Sequence, residues 1–181
     1  MSSEKATPAG LAYVIQKHAA RQLHFDFRLE LDGVMKSWAV PKGPSVDPAV
    51  KRMAIPVEDH PLSHNEFEGT IAREQYGGGT VMLWDRGTWE YGGPGSGGVE
   101  ESRKAYEKGD FKFILHGERL RGSWVLVRTR RGDERPQWLL IKHRDEFAVP
   151  GTDVVAEYQT SVATGRTMEE ISAGAPAKRS R

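Results

Sequence analysis

Cysteine is absent from the 181 residues, which excludes a disulfide scaffold, a thiolate-ligated zinc site and thiol catalysis. Any metal must rest on His, Asp or Glu. No apolar run approaches the roughly 20 residues that a membrane helix needs. The first residues, Met1 to Ala6, lack the apolar stretch of a secretory leader. The expectation is a cytoplasmic protein that engages no membrane. An excess of one charge sign is lacking too: 26 Lys and Arg meet 25 Asp and Glu, for a formal net charge of +1. With 38% hydrophobic and 28% charged residues the chain has an ordinary globular composition, long enough for one domain and a short tail.

The near-zero net charge conceals uneven placement. Residues 111–144 carry Lys112, Arg119, Arg121, Arg128, Arg130, Arg131, Arg135, Lys142 and Arg144 against Glu118, Asp133 and Glu134. Residues 53–75 run the other way, with Glu58, Asp59, Glu66, Glu68 and Glu74 against Arg73. A basic face on a neutral protein can draw a polyanion. The alternative is a set of strands that show Arg and Lys to water.

Short segments of period two dominate the pattern. Leu23, Phe25, Phe27, Leu29 and Leu31 alternate with His24, Asp26, Arg28 and Glu30, which predicts a strand with one apolar and one polar face. Asp32-Gly33 then turns the chain into Val34–Val40. Residues 80–91, 111–115, 124–128 and 137–142 read as further strands. Trp38, Trp84, Trp89, Trp124 and Trp138 can stack on bases, but on alternating strands most of them read as core. Helix is scarce. Val99–Lys108 is predicted as one helix, stopped by Gly109, and Thr167 to Glu170 has the spacing of a capping box. The fold expected is mainly β, a small closed barrel of short antiparallel strands with one or two short helices. Its boundaries are an arm over 1–13, the barrel over 14–150, and a connector over 151–181 whose basic end has nothing to bury.

The densest chemistry lies at Gln16-Lys17-His18 and His24-Phe25-Asp26-Phe27-Arg28. On a strand His24, Asp26 and Arg28 share one face. His18 is expected to fold back over that face from a preceding turn. Two imidazoles and a carboxylate form a ligand set for manganese, iron or zinc, and Arg28 would aim its donors at an anion held there. The competing reading is a plain solvated strand face. His60 and His64 form a second cluster around Pro61, suited either to a phosphate or to a nearby carboxylate. Lys42, in Pro41-Lys42-Gly43, is either a phosphate contact or an exposed turn lysine. Gly77-Gly78-Gly79 is either an amide cradle for an anion or, as preferred here, the turn into the next strand.

Four strings carry a resemblance: QKHAARQLHFDFRLELDGVMKSWAVPKGPS, VEDHPLSHNEFEG, YGGGTVMLWDRGTWE and WLLIKHRDEFA. Together they resemble the 3′-phosphoesterase domain of bacterial DNA ligase D, over about Val14 to Val149. A fainter match, SVATGRTMEEISAG, resembles the connector that follows this domain in the multidomain ligases. The resemblance implies a β-barrel, manganese-dependent enzyme of end-joining repair. Such an enzyme removes a 3′-terminal ribonucleoside and then a 3′-phosphate from DNA or RNA-tipped DNA ends, leaving a 3′-OH for a ligase or polymerase partner. By position, His18, His24 and Asp26 match the family's metal ligands. Arg28, Arg52 and His60 match its phosphate contacts, and Gln16, Lys42 and Glu58 match positions near the active site. His64 stands where the family commonly has a tyrosine. The family's N-terminal arm finds no match before Val14 beyond Thr7-Pro8. That keeps a second reading open, a catalytically impaired metal-binding module that docks on DNA ends or on a ligase or polymerase.

Overall fold

The computed structural model describes residues 10–75, 78–95, 97–129 and 136–179. Its strands, in chain order, are β1 (Leu11–Ala19), β2 (Leu23–Leu31), β3 (Val34–Val40), β4 (Lys51–His60), β5 (Gly69–Ile71), β6 (Gly79–Tyr91), β7 (Asp110–Gly117), β8 (Arg121–Thr129) and β9 (Gln137–Lys142). Eight of them close an antiparallel ring in the order β1-β2-β3-β4-β9-β8-β7-β6, sealed by the β6–β1 pairing, and β5 adds to the outer edge of β6. A closed ring removes the exposed edges that an open sheet must otherwise protect.

Parity explains the interior. Odd residues of β1 and β2 (Tyr13, Ile15, Phe25, Phe27, Leu29) point inward and meet Trp38, Trp84, Trp89, Trp124 and Trp138 in one buried cluster. All five tryptophans are therefore core, where the alternation predicts most of them to be. The Asp32-Gly33 turn has positive φ at both residues, 57° and 82°, the backbone that suits a two-residue hairpin. Helix α1 (Val99–Lys108) ends on Gly109 in the left-handed region. The capping box at Thr167 forms in both directions and opens the short helix Met168–Ser172. No described helix is long and apolar enough to cross a membrane.

Strands β1 and β4 have no counterpart in the sequence expectation. β1 is buried along Tyr13–His18 on both faces, so it shows no alternation. Its outer face is covered by Val162 and Ala163, which pack with Val14, Met35 and Leu83. β4 is largely exposed and contains Pro56. The proline falls beyond Ala54, the last residue of β4 paired to β9, where the strand has an open side that tolerates a missing N–H. The C-terminal end is exposed, as expected, but it is anchored. Lys178 N–H donates to Thr164 O, and the Arg179 guanidinium donates to Ser161 O.

One buried acid ties the ring together. Asp85 is fully buried and accepts from Tyr13 Oη (2.8 Å) and from the Arg119 and Leu120 amides (2.9 Å each), joining β1 and β6 to the β7–β8 turn. Burial pushes its carboxyl up from the ordinary aspartate range. Asp85→Ala strands these donors in a dry interior. It is expected to cost about 3–5 kcal/mol of unfolding free energy, readable as a lower urea midpoint with an unchanged m-value.

Candidate active site

The site is built on the outward, even-numbered face of β1 and β2. Ala20–Gln22 connects these strands, and the pairing sets His18 opposite His24 and Gln16 opposite Asp26. Residues directly opposite share a face, so His18 reaches the group from a strand and not from the turn expected. The rings of His18 and His24 meet edge to face at 4.9 Å. One ligand atom each from His18, His24 and Asp26 lie within 4.8 Å of one another. His18 Nδ1 is 3.6 Å from Asp26 Oδ2, and His24 Nε2 is 3.3 Å from Oδ1.

Backbone carbonyls decide which ring nitrogens face that point. His18 Nε2 donates to Gly78 O at 2.9 Å, and His24 Nδ1 donates to Gln22 O at 3.1 Å. A carbonyl only accepts, so those nitrogens carry the hydrogens. In neutral rings the lone pairs of His18 Nδ1 and His24 Nε2 then turn toward the Asp26 carboxylate. Three electron-pair donors aimed at one point repel each other until a cation sits among them. The titration reflects the same demand. Hydrogen bonding to Asp26 raises the His24 pKa. Burial pushes Asp26 up, but His18, His24 and the Arg28 charge outweigh it and hold the carboxyl far below its usual range. The donor set therefore fits a divalent transition metal, one with open positions left for water and substrate.

Gly78 reaches His18 because Gly79 lets the chain pass. At Gly79, φ is 112° and a Cβ would lie 2.2 Å from Ala19 O. The Gly78 amide is spent on Gln75 O. Gly78 thus serves the site through its carbonyl, and its amide is not available to an anion; Gly77 lies outside the described residues.

Arg28 stands next to the metal group, buried on the same face. Its Nε donates to Gln16 Oε1 (2.9 Å), its Nη1 donates to Ser37 Oγ (2.8 Å), and its Nη2 lies 3.5 Å from Asp26 Oδ2. Gln16 Nε2 in turn donates to the carbonyls of His64 (3.0 Å) and Phe67 (3.4 Å). The guanidinium is thus held by residues from β1, β2 and β3. A cleft of about 570 Å³ opens over this face, and Gln16, His18, His24, Asp26, Arg28, Glu58, His60 and His64 all line it. Ala39, Val57, Pro61, Phe67, Ile71 and Val81 supply apolar wall.

Two expected residues are elsewhere. Arg52 pairs with Leu140 and shares its side of β4 with Ala54, and both of those belong to the core. It therefore looks toward the barrel interior, where its Nε is buried with no partner among the described residues, while Val57 faces the cleft. Lys42 is exposed on the turn after β3 and does not line the cleft. The basic stretch is also not a bare face. Arg119 donates to Trp84 O and Thr160 Oγ1, Arg128 donates to the carbonyls of Glu107 and Lys108 at the end of α1, and Lys142 is buried on Asp145. Arg130, Arg131 and Arg135 lie outside the described residues. Ser37, which fixes the Arg28 guanidinium, was missed from the sequence. So were the two carbonyls that set the imidazole tautomers.

His60 closes β4 and meets the His64 ring at 5.5 Å. Burial, the nearby Arg28 charge and His64 lower its pKa, so the ring is neutral at neutral pH. The unfolded chain therefore binds the His60 proton more readily than the folded one. Stability from this residue is present above the unfolded histidine value, near pH 6.5, and is lost as pH falls below it. His60→Gln is expected to flatten the pH dependence of the urea midpoint on the acid side of pH 6.5. An unchanged slope would show that His60 contributes nothing to it.

Comparison with known proteins fits this geometry. The chain is 49% identical over 160 residues to the multifunctional non-homologous end joining protein LigD of Pseudomonas aeruginosa, covering 87% of this chain and 18% of that protein. It is 41% identical over 145 residues to the corresponding Mycobacterium tuberculosis DNA repair protein, covering 80% and 18%. A Mycolicibacterium smegmatis relative is 36% identical over 141 residues, covering 74% and 17%. The chain thus spans less than a fifth of the length of these relatives. The model of the DNA ligase D 3′-phosphoesterase domain matches residues 16–128, a range that takes in β2, the site residues of β1 and the whole lining of the cleft, and the chain belongs to that family.

Proposed function

We propose that the protein is a metal-dependent phosphoesterase that heals DNA 3′ ends for end joining. In this reading it cleaves a 3′-terminal ribonucleoside from an RNA-tipped DNA end and then a 3′-phosphate, leaving a 3′-OH for a ligase or polymerase. The observation that carries the reading is the pairing of three fixed lone-pair donors with a buried, pre-oriented guanidinium in one cleft. The family resemblance favours manganese among the metals that this donor set accepts.

The metal would supply Lewis acidity to a phosphoryl oxygen and a lowered pKa to a bound water. His18, His24 and Asp26 would hold it, with Gly78 and Gln22 keeping the two rings in the ligating tautomer. Arg28 neutralises charge that builds on the equatorial oxygens, and its Gln16 and Ser37 contacts mean little reorganisation as that charge develops. His60, neutral beside Arg28, donates an N–H to the phosphate or passes a proton to the departing oxygen. His64 fills the adjoining wall, and Glu58 offers a carboxylate to a sugar hydroxyl or a water.

The test is incubation with manganese of two primer-templates, one ending in a 3′-phosphate and one in a 3′-ribonucleotide. Conversion of the first to a 3′-OH end, and of the second through a 3′-phosphate to the same end, is the expected result. Tight manganese and DNA binding with no product from either primer would refute the enzymatic reading and leave the docking module.

A further inference from the structure

Glu68 stands outside the chemistry just described, yet its side chain is wholly buried and ionised. It lies between the loop that walls the cleft and the segment beyond residue 150. β5 begins only at Gly69, so the Leu83 amide of β6 has no strand partner there, and Glu68 Oε1 accepts from it at 2.9 Å. Glu68 Oε2 accepts from Thr164 Oγ1 and from Arg166 Nη2, the latter at 2.9 Å. These bonds hold the Glu68 pKa down against the opposing effect of burial. Arg166 also donates to Ala175 O at 2.7 Å and to Thr164 Oγ1 at 3.1 Å. The same segment docks through Val162 N–H on Leu83 O at 3.0 Å.

The next residue toward the cleft is Phe67, whose carbonyl, with that of His64, accepts from Gln16. Gln16 holds Arg28. A path of hydrogen bonds thus runs from Arg166 to Glu68, passes along the backbone to the Phe67 and His64 carbonyls, and continues through Gln16 to the guanidinium. We infer that Arg166 and Glu68 form a positioning clamp. The C-terminal segment, by gripping Glu68, sets the 62–68 loop and through it the Arg28 fork, so the working catalytic unit extends past residue 150 to at least Arg166. A buried ion pair adds little net stability over an apolar replacement, so the role assigned to this one is to fix a geometry. This inference rests on the phosphoesterase reading, and it concerns residues that touch neither substrate nor metal.

The experiment uses the full chain with Arg166→Met and Arg166→Lys. Turnover of the 3′-phosphate primer is expressed per manganese-binding molecule, counted by electron paramagnetic resonance. Amide hydrogen exchange is followed over 62–68 and over β7–β8. A role confined to folding would lower the count of competent molecules and leave turnover per molecule intact. The clamp predicts that Arg166→Met loses between about 10-fold and 100-fold in kcat per competent molecule, the scale of a misplaced catalytic group. KM should change less than kcat, and 62–68 should exchange faster while β7–β8 does not. Arg166→Lys, which keeps the charge on Glu68, should recover part of the loss. If Arg166→Met fails to fold because Glu68 is left buried and uncompensated, Glu68→Gln with Arg166→Met removes that charge and keeps an acceptor for Leu83. The clamp is overturned by unchanged exchange over 62–68, or by faster exchange with unchanged kcat. If the parent protein itself shows no turnover, the phosphoesterase reading fails, and the exchange arm still decides the clamp.

Discussion

Asp26→Asn is expected to abolish turnover and manganese binding together while leaving the barrel folded. The substitution keeps shape and volume, so the inward residues Phe25 and Phe27 on either side are undisturbed. It removes the only anionic donor of the group and replaces it with an amide that binds a transition metal poorly. His18→Ala removes a second donor and should behave alike. The loss should exceed about 100-fold, because changes to groups that merely orient a ligand already cost 10-fold to 100-fold. Some stability is expected to fall with activity, because the surroundings that hold the Asp26 carboxyl far below its usual range, Arg28 among them, favour the anion over a neutral amide. Manganese titration by calorimetry, turnover and a urea melt together check the prediction. A folded Asp26→Asn protein that still binds manganese and turns over within tenfold of the parent would move the metal elsewhere.

Much of this site was legible because its strands are short and its turns are chemically marked. The Asp32-Gly33 turn announces the β2–β3 hairpin, and alternation along β2 places His24, Asp26 and Arg28 on one face. Counting outward from that two-residue turn pairs Arg28 with Ser37, so the partner that fixes the guanidinium was within reach of the sequence even though it was missed. What could not be read was which elements cover the outside of the barrel. β1 shows no period-two burial because the segment around Val162 hides its outer face. The Gly78 carbonyl reaches His18 across sixty residues of chain, through a contact that no local pattern encodes. Arg52 shows the converse limit. Matching a family position assigns a residue to a site, but on the regular part of β4, before the register shift that follows Val57, parity sets Arg52 beside Leu140 and opposite in face to Val57. The basic stretch shows a similar limit, since charge in sequence does not say that Arg128 serves a helix end or that Lys142 is buried against Asp145.

Arg28→Lys is expected to lose nearly as much activity as Arg28→Ala, about 100-fold to 1000-fold in kcat, the cost of removing a preorganised donor to a developing oxyanion. The parent guanidinium is held at two edges, by Gln16 on Nε and Ser37 on Nη1, with Nη2 turned toward Asp26. A lysine ammonium is a single point with rotating donors and cannot occupy those positions together or present a planar fork to a phosphate. It also leaves Gln16 Oε1 or Ser37 Oγ without its donor, at a further cost of about 1–3 kcal/mol in stability if no water replaces it. Gln16→Leu provides the complementary measurement. It keeps the arginine and its charge but frees Nε and cuts the tie to the His64 and Phe67 carbonyls, so turnover should fall to a level between the parent and Arg28→Ala. If charge alone does the work, Arg28→Lys will retain most of the parent rate and Gln16→Leu will be silent. If orientation does the work, both will be impaired while manganese affinity holds near the parent value, because His18, His24 and Asp26 are untouched in each.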